Sequence, residues 1–159
     1  MRGKLQLELD VQWALPPAAT SLDLPSYRQL SDWAQAALAE LTGMVELTIR
    51  VVGETESAEL NLAYRGKSGP TNVLSFPFTA PGCVDSMLLG DLLICAPVVA
   101  AEALAQNKSI TAHWAHMVVH GCLHLQGYDH QNEAEAEVME TLEARILTAL
   151  GYADPYFVN

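Results

Sequence analysis

The sequence has few cysteines and no long apolar run. Its three cysteines, Cys83, Cys95 and Cys122, are odd in number and widely spaced. Such a set does not form a disulfide framework, so we expect them to be reduced and to pack as small hydrophobic residues. No apolar stretch approaches the roughly 18–20 residues that a helix needs to span a membrane. Residues 1–4 also lack the apolar block of a secretory signal, so we expect a cytoplasmic protein without a membrane partner.

Basic residues are scarce as well. The chain has 8 Lys and Arg against 19 Asp and Glu, which gives a formal net charge of −11. Proteins that bind nucleic acid without specificity usually carry a basic stripe, so this balance argues against a general polyanion binder. It leaves room for a local basic site, and a bound dication would offset two negative charges there.

The remaining composition is that of a folded globular protein. Half of the residues are hydrophobic and 17% are charged. A length of 159 residues suits one hydrophobic core, and no repeat or linker divides the chain. We therefore predict a single domain over residues 1–159.

The apolar residues follow strand and helix periods in turn. Residues 5–11 alternate between apolar and polar, as in a half-buried strand, whereas Leu30, Trp33, Ala37 and Leu41 recur at helical spacing. The predicted strands are 5–11, 45–52, 72–76 and 88–95, and the predicted helices are about 30–41, 55–64, 97–106, 110–126 and 131–149. This order predicts an α+β fold, with a small mixed β-sheet of about four strands packed with about five helices.

Three histidines near the C-terminal end of the chain form a metal-ligand pattern. His120 and His124 are four residues apart on a predicted helix, so both imidazoles can reach one ion. Gly127 can end the helix in a left-handed conformation, and the chain can then bring His130 to the same ion. The pattern H-x-x-x-H-x-x-G-x-x-H therefore predicts a metal site on this helix and the turn that follows it.

The ligand type indicates the metal and its role. Three neutral nitrogens without a thiolate favour Zn²⁺, with other divalent transition metals as alternatives. Three protein ligands leave a fourth position open for water, as catalytic zinc sites do. A metal in such a site lowers the pKa of water towards about 7 and polarises a substrate oxygen, which favours hydrolysis.

The same spacing occurs in the metzincin proteases, which carry a glutamate directly after the first histidine as the general base. Here that position is Gly121, which cannot transfer a proton. A zinc-dependent, peptidase-like metallohydrolase is therefore a weaker alternative.

Four blocks of sequence resemble one known family. They are His116–Gly121 with Gly127–His130, Leu60–Lys67 with Pro70–Pro77, Leu89–Ile94, and Glu133–Glu140. In order and spacing these blocks resemble the YbeY-type metal-dependent endoribonucleases, the bacterial rRNA maturation factors. The resemblance covers roughly residues 45–150.

The resemblance implies a single-strand-specific, metal-dependent endoribonuclease that acts in small-subunit rRNA maturation and ribosome quality control. It implies that His120, His124 and His130 hold the metal and that the functional arginine is Arg65. The expected partners are single-stranded regions of rRNA and ribosomal proteins of the small subunit. A non-catalytic ribosome-assembly factor with a structural metal is a further alternative. The acidic composition gives it weight, because an acidic protein can reach its RNA through basic ribosomal proteins.

The chemistry of phosphodiester cleavage agrees with this implication, because it needs positive charge where the phosphorane develops. Arg65 can make a bidentate phosphate contact, and Lys67 adds a second cation that we assign to substrate binding. Without the resemblance, Arg65 would be read as half of a surface ion pair. The nucleophile is either metal-activated water or the ribose 2′-OH, and no side chain stands out as a general base. Asn72 departs from the family, which commonly has aspartate there.

Overall fold

The computed structural model describes residues 4–17, 22–78 and 86–157, with the side chains of the last range from residue 88 onward. Within these ranges the chain forms four strands and five helices. The strands are β1 (Leu5–Ala14), β2 (Gly43–Val52), β3 (Val73–Pro77) and β4 (Ser86–Cys95). The helices are α1 (Tyr27–Ala37), α2 (Glu54–Arg65), α3 (Ala96–Ala105), α4 (Ile110–Leu125) and α5 (Glu133–Ala149). The predicted α+β fold is confirmed.

The sheet is mixed, and its strand order is β1-β2-β4-β3. Strands β1, β2 and β4 run parallel, whereas β3 pairs antiparallel with β4 and forms one edge. Each parallel pair is joined through a helix: α1 connects β1 to β2, and α2 followed by β3 connects β2 to β4. Such crossovers place helices on the faces of the sheet.

The two faces of the sheet carry different cores. Alternate residues of β2, such as Val45 and Ile49, join the larger cluster beneath α1 and α4, to which Leu92 of β4 also belongs. The neighbouring residue Leu93 belongs to a smaller cluster on the opposite face, where Leu60 of α2 packs against it. Helix α2 therefore lies across the sheet from α4.

Two glycines permit close approaches in this part of the sheet. Gly90 has φ +146°, and a Cβ there would lie 2.4 Å from the carbonyl oxygen of Phe76. It follows a bulge, because the pairing with β2 steps from Leu88 to Gly90. A Cβ on Gly121 of α4 would lie 2.7 Å from Cδ2 of Leu92. Gly121 therefore brings α4 close to the sheet, so this position serves packing.

One predicted helix, α1, differs from the structure by several residues at both ends. Helix α1 begins at Tyr27 instead of about residue 30, because Ser26 and Gln29 form a capping box at its N-terminus. It ends at Ala37, before the predicted end at about residue 41. No helix in the described part of the chain is long and apolar enough to cross a membrane.

The described cysteines behave as predicted. Cys95 and Cys122 are buried and free. Burial raises the pKa of both thiols, to about 12 for Cys122. Both are therefore protonated and pack as small hydrophobic residues. Cys83 lies outside the described residues.

Candidate metal centre

Helix α4 holds the first two histidines of the predicted site. Ser109 caps the helix by accepting a hydrogen bond from the backbone N–H of Ala112. His120 and His124 border a cleft one turn apart, and their ring centroids are 4.6 Å apart. Both side chains are partly exposed, although most of the surrounding helix is buried. A well-packed helix thus presents two imidazoles side by side.

The turn after α4 brings the third histidine back to the first two. Gly127 has φ +102°, a conformation that favours glycine, and the N–H of Tyr128 donates to the carbonyl of Leu123 at 3.1 Å. The side chain of Asp129 accepts from the backbone N–H of His130 at 2.8 Å. The His130 ring lies 5.0 Å from that of His124 and 5.7 Å from that of His120, centroid to centroid.

The three histidines fit a divalent transition metal. One ring nitrogen from each lies within 4.8 Å of the other two. Burial lowers the pKa of His124, and neighbouring His120 and His130 lower it further, which favours the neutral ring that a metal needs. The set has nitrogen donors only, which suits zinc and leaves room for a further ligand.

A buried carboxylate lies behind the histidines. Glu143 of α5 is 1% exposed. Its Oε2 lies 3.2 Å from Nδ1 of His120, and its Oε1 lies 2.6 Å from Nε2 of His116 and 2.7 Å from the hydroxyl of Tyr156. Burial alone would raise the pKa of Glu143, but hydrogen bonds from His116 and His120 outweigh it and lower the pKa to about 2. Glu143 is therefore ionised.

Glu143 was not predicted from the sequence, although a signal was present. Met139, Glu143 and Leu147 recur every four residues and are all buried, so one carboxylate interrupts an apolar stripe of α5. His116, His120 and Glu143 also meet the spacing of a metal-ligand group. Their polar atoms already hydrogen-bond to one another, which accounts for their closeness without a second ion.

A cleft of about 1190 Å³ joins the histidines to helix α2. Arg65, the last residue of α2, lines this cleft together with the three histidines. Its side chain is exposed, and no carboxylate of the described residues forms an ion pair with it. Arg50 also lines the cleft, but both oxygens of Glu56 bind its guanidinium at 2.6 and 3.0 Å. Arg65 is thus the less compensated of the two arginines.

Two side chains near Arg65 in sequence, Tyr64 and Lys67, differ in whether they line the cleft. Tyr64 lines the cleft, is 67% exposed and meets Phe76 edge-to-face with ring centroids 4.9 Å apart. Lys67 is exposed beyond the end of α2 and does not line the cleft. The structure therefore places Arg65 with the histidines and Lys67 outside their cleft.

The side-chain amide of Asn72 joins Glu102 to the start of β3 by hydrogen bonds. Its Nδ2 donates to both oxygens of Glu102, at 3.0 and 3.3 Å, and its Oδ1 accepts from the N–H of Val73 at 2.6 Å. Glu102 also lies 2.8 Å from Nε2 of His113, which is buried and whose pKa is lowered mainly by burial. An aspartate at position 72 would set two carboxylates against each other, whereas asparagine donates to Glu102.

The fold and the site define an α+β protein with a three-histidine cluster in an open cleft. The family model described as Endoribonuclease YbeY matches residues 20–151. The chain therefore belongs to the YbeY endoribonuclease family, and the resemblance seen in the sequence is confirmed.

Relatives agree over nearly the whole chain. The chain is 54% identical to Endoribonuclease YbeY of Nitrosococcus oceani over 154 residues, which are 96% of this chain and 98% of that protein. The solution structure of TM1509 from Thermotoga maritima matches with a TM-score of 0.53 and 23% identity, and it covers 93% of this chain and 99% of that one. This second likeness shows the shared fold.

Proposed function

We propose that this protein is a metal-dependent endoribonuclease that cuts single-stranded RNA. The observation that carries the proposal is one cleft lined by His120, His124 and His130 and by Arg65, an arginine with which no described carboxylate forms an ion pair. Membership of the YbeY endoribonuclease family supports RNA as the substrate class.

The histidines would hold one divalent metal, zinc before the other transition metals. When bound, such an ion supplies positive charge and Lewis acidity next to the substrate phosphate. Arg65 faces the same cleft, so its guanidinium can hold two oxygens of the scissile phosphate and stabilise the charge that develops on them. Lys67 lies outside the cleft, so we assign it to a flanking phosphate of the bound strand.

The preference for single strands would come from the wall beside Arg65. The ring of Tyr64 packs edge-to-face with Phe76 and is 67% exposed, so we assign its exposed surface to stacking with a nucleobase. Unpaired bases can stack on such a ring, whereas bases in a duplex already stack on one another.

The proposed setting is the cytoplasm, where the protein would act in small-subunit rRNA maturation and ribosome quality control. A formal charge of −11 makes long-range attraction to bare RNA weak. Basic ribosomal proteins of the small subunit would instead attract the acidic surface and bring the cleft to rRNA.

The test is a cleavage assay with zinc-loaded protein on an RNA that contains a single-stranded segment and a duplex, with casein in parallel. We expect cuts in the single-stranded segment and no peptide products. Peptide products without RNA cleavage would instead establish the peptidase alternative.

A second measurement assigns the metal. His120→Ala and His124→Ala variants should contain less zinc by elemental analysis than wild type and should not cut RNA. Arg28→Ala, on the exposed surface of α1, serves as the control. Unchanged zinc content in both histidine variants would refute the ligand assignment.

A further inference from the structure

We infer that Glu143 is a positioning residue for the metal centre, because it accepts a hydrogen bond from Nδ1 of His120 and so presents Nε2 of that ring to the ion. The inference rests on the metal site of the proposed function and adds a residue that does not itself contact the metal.

A carboxylate accepts hydrogen bonds through its two oxygens and does not donate them. Three groups contact Glu143: the hydroxyl of Tyr156, Nε2 of His116 and Nδ1 of His120, at 2.7, 2.6 and 3.2 Å. All three must therefore donate a hydrogen to it. In a neutral imidazole only one nitrogen carries hydrogen, so a donating Nδ1 leaves the lone pair of His120 on Nε2.

His116 supports this assignment independently. Its Nδ1 is buried and has no hydrogen-bond partner among the described residues. Burying Nδ1 without a partner costs less free energy when that nitrogen carries only a lone pair than when it carries an unsatisfied N–H. The hydrogen is better placed on Nε2, which can donate it to a charged acceptor. His116 therefore donates through Nε2, as the carboxylate requires.

The network is also rigid enough to orient a ligand. Glu143 is 1% exposed and comes from α5, whereas His116 and His120 lie on α4. Tyr156 reaches the same carboxylate from the segment after α5. Side chains from α4, from α5 and from the segment after α5 thus meet at one carboxylate. That carboxylate in turn holds the ring of His120 in place. Groups that orient metal-binding histidines in this way typically change metal affinity by about 10- to 100-fold when they are replaced.

A direct test uses the wild-type protein without metal. Long-range ¹H–¹⁵N NMR correlations distinguish the two neutral forms of a histidine, at a pH of about 8.5, well above the ordinary histidine pKa of about 6.5. We expect the Nδ1–H form for His120 and the Nε2–H form for His116. An Nε2–H form at His120 would overturn the inference without any variant having to fold.

A second test measures zinc affinity by competition with a chelator. Glu143→Gln keeps the shape of the side chain, but an amide cannot accept hydrogen bonds at both of its ends. We expect it to bind zinc about 10- to 100-fold more weakly than wild type. The matched control is Glu137→Gln, an exposed position on the same helix that loses the same charge. Thermal unfolding of each metal-free variant reports any loss of fold separately.

The outcomes separate this inference from the proposed function. If wild type and Glu137→Gln bind zinc tightly and Glu143→Gln binds it equally well, Glu143 has no positioning role, although the metal site stands. If wild type itself binds no metal at the histidines, the proposed function fails first. A selective loss of affinity in a folded Glu143→Gln variant, with the Nδ1–H form of His120 in wild type, supports the inference.

Discussion

Replacing Arg65 with alanine is expected to slow cleavage of single-stranded RNA about 100-fold. Loss of one preorganised donor to a developing oxyanion typically costs about 10²- to 10³-fold in rate. Arg65 is exposed, so solvent screens its charge, and we expect the lower end of that range. Arg65→Lys keeps the charge but loses the planar fork, so its rate should lie between those of wild type and Arg65→Ala.

The fold should hardly respond to either change. Arg65 forms no ion pair with the described carboxylates, and its main structural contribution is a positive charge at the C-terminus of α2. Such a charge contributes about 0.3–1 kcal/mol to helix stability. The free energy of unfolding measured in urea should therefore change by less than about 1 kcal/mol. The zinc content should equal that of wild type.

The assay compares single-turnover cleavage of one RNA by wild type, Arg65→Ala, Arg65→Lys and the control Arg28→Ala, each with measured zinc content. Arg28 is exposed on α1 and does not line the cleft, so its variant should cut at the wild-type rate. Equal rates for Arg65→Ala and wild type would remove Arg65 from the active site. A rate loss accompanied by lost zinc would show that Arg65 acts on the metal site instead of the phosphate.

Three further results are expected. Tyr64→Ala should raise the KM for single-stranded RNA about tenfold, because a stacked base contributes about 1–3 kcal/mol, and an unchanged KM would exclude stacking on this ring. A chelator should abolish cleavage but leave the far-UV circular dichroism spectrum nearly intact. The reason is that the larger core beneath α1 and α4 does not include the histidines. Global unfolding on metal removal would instead indicate a structural metal. Glu143 should make wild type more stable than Glu143→Gln at neutral pH. Because its pKa falls from 4.5 to about 2 on folding, this advantage should be lost as the pH falls from about 4.5 to about 2 in urea titrations, and a pH-independent difference would contradict it.

Features that depend on neighbours in sequence were predictable. The spacing of His120 and His124 fixes their common helix face, and Gly127 marks the turn that returns His130. The capping box of Ser26 and Gln29 was also readable and would have corrected the start of α1. Each of these depends on residues a few positions apart, where local geometry decides the outcome.

Features that depend on distant partners were not predictable. Strand β4 pairs with both β2 and β3, and this order follows from packing across the whole chain. Glu143 lies 23 residues from His120 and 27 from His116, so their hydrogen bonds exist only after α5 has packed on α4. The amide at position 72 could be noticed in the sequence, but its partner Glu102 is 30 residues away.

The burial of Cys122, close in sequence to the histidine cluster, has a consequence for oxidative stress. Cys122 lies only two residues from His120, yet it is fully buried and its pKa is raised to about 12, so little reactive thiolate forms. The nitrogen ligands have no oxidation ladder comparable to that of a thiolate. Peroxide that ejects zinc from cysteine-ligated centres should therefore leave this centre loaded. An endoribonuclease built in this way would continue to work while thiolate-dependent zinc proteins lose their metal.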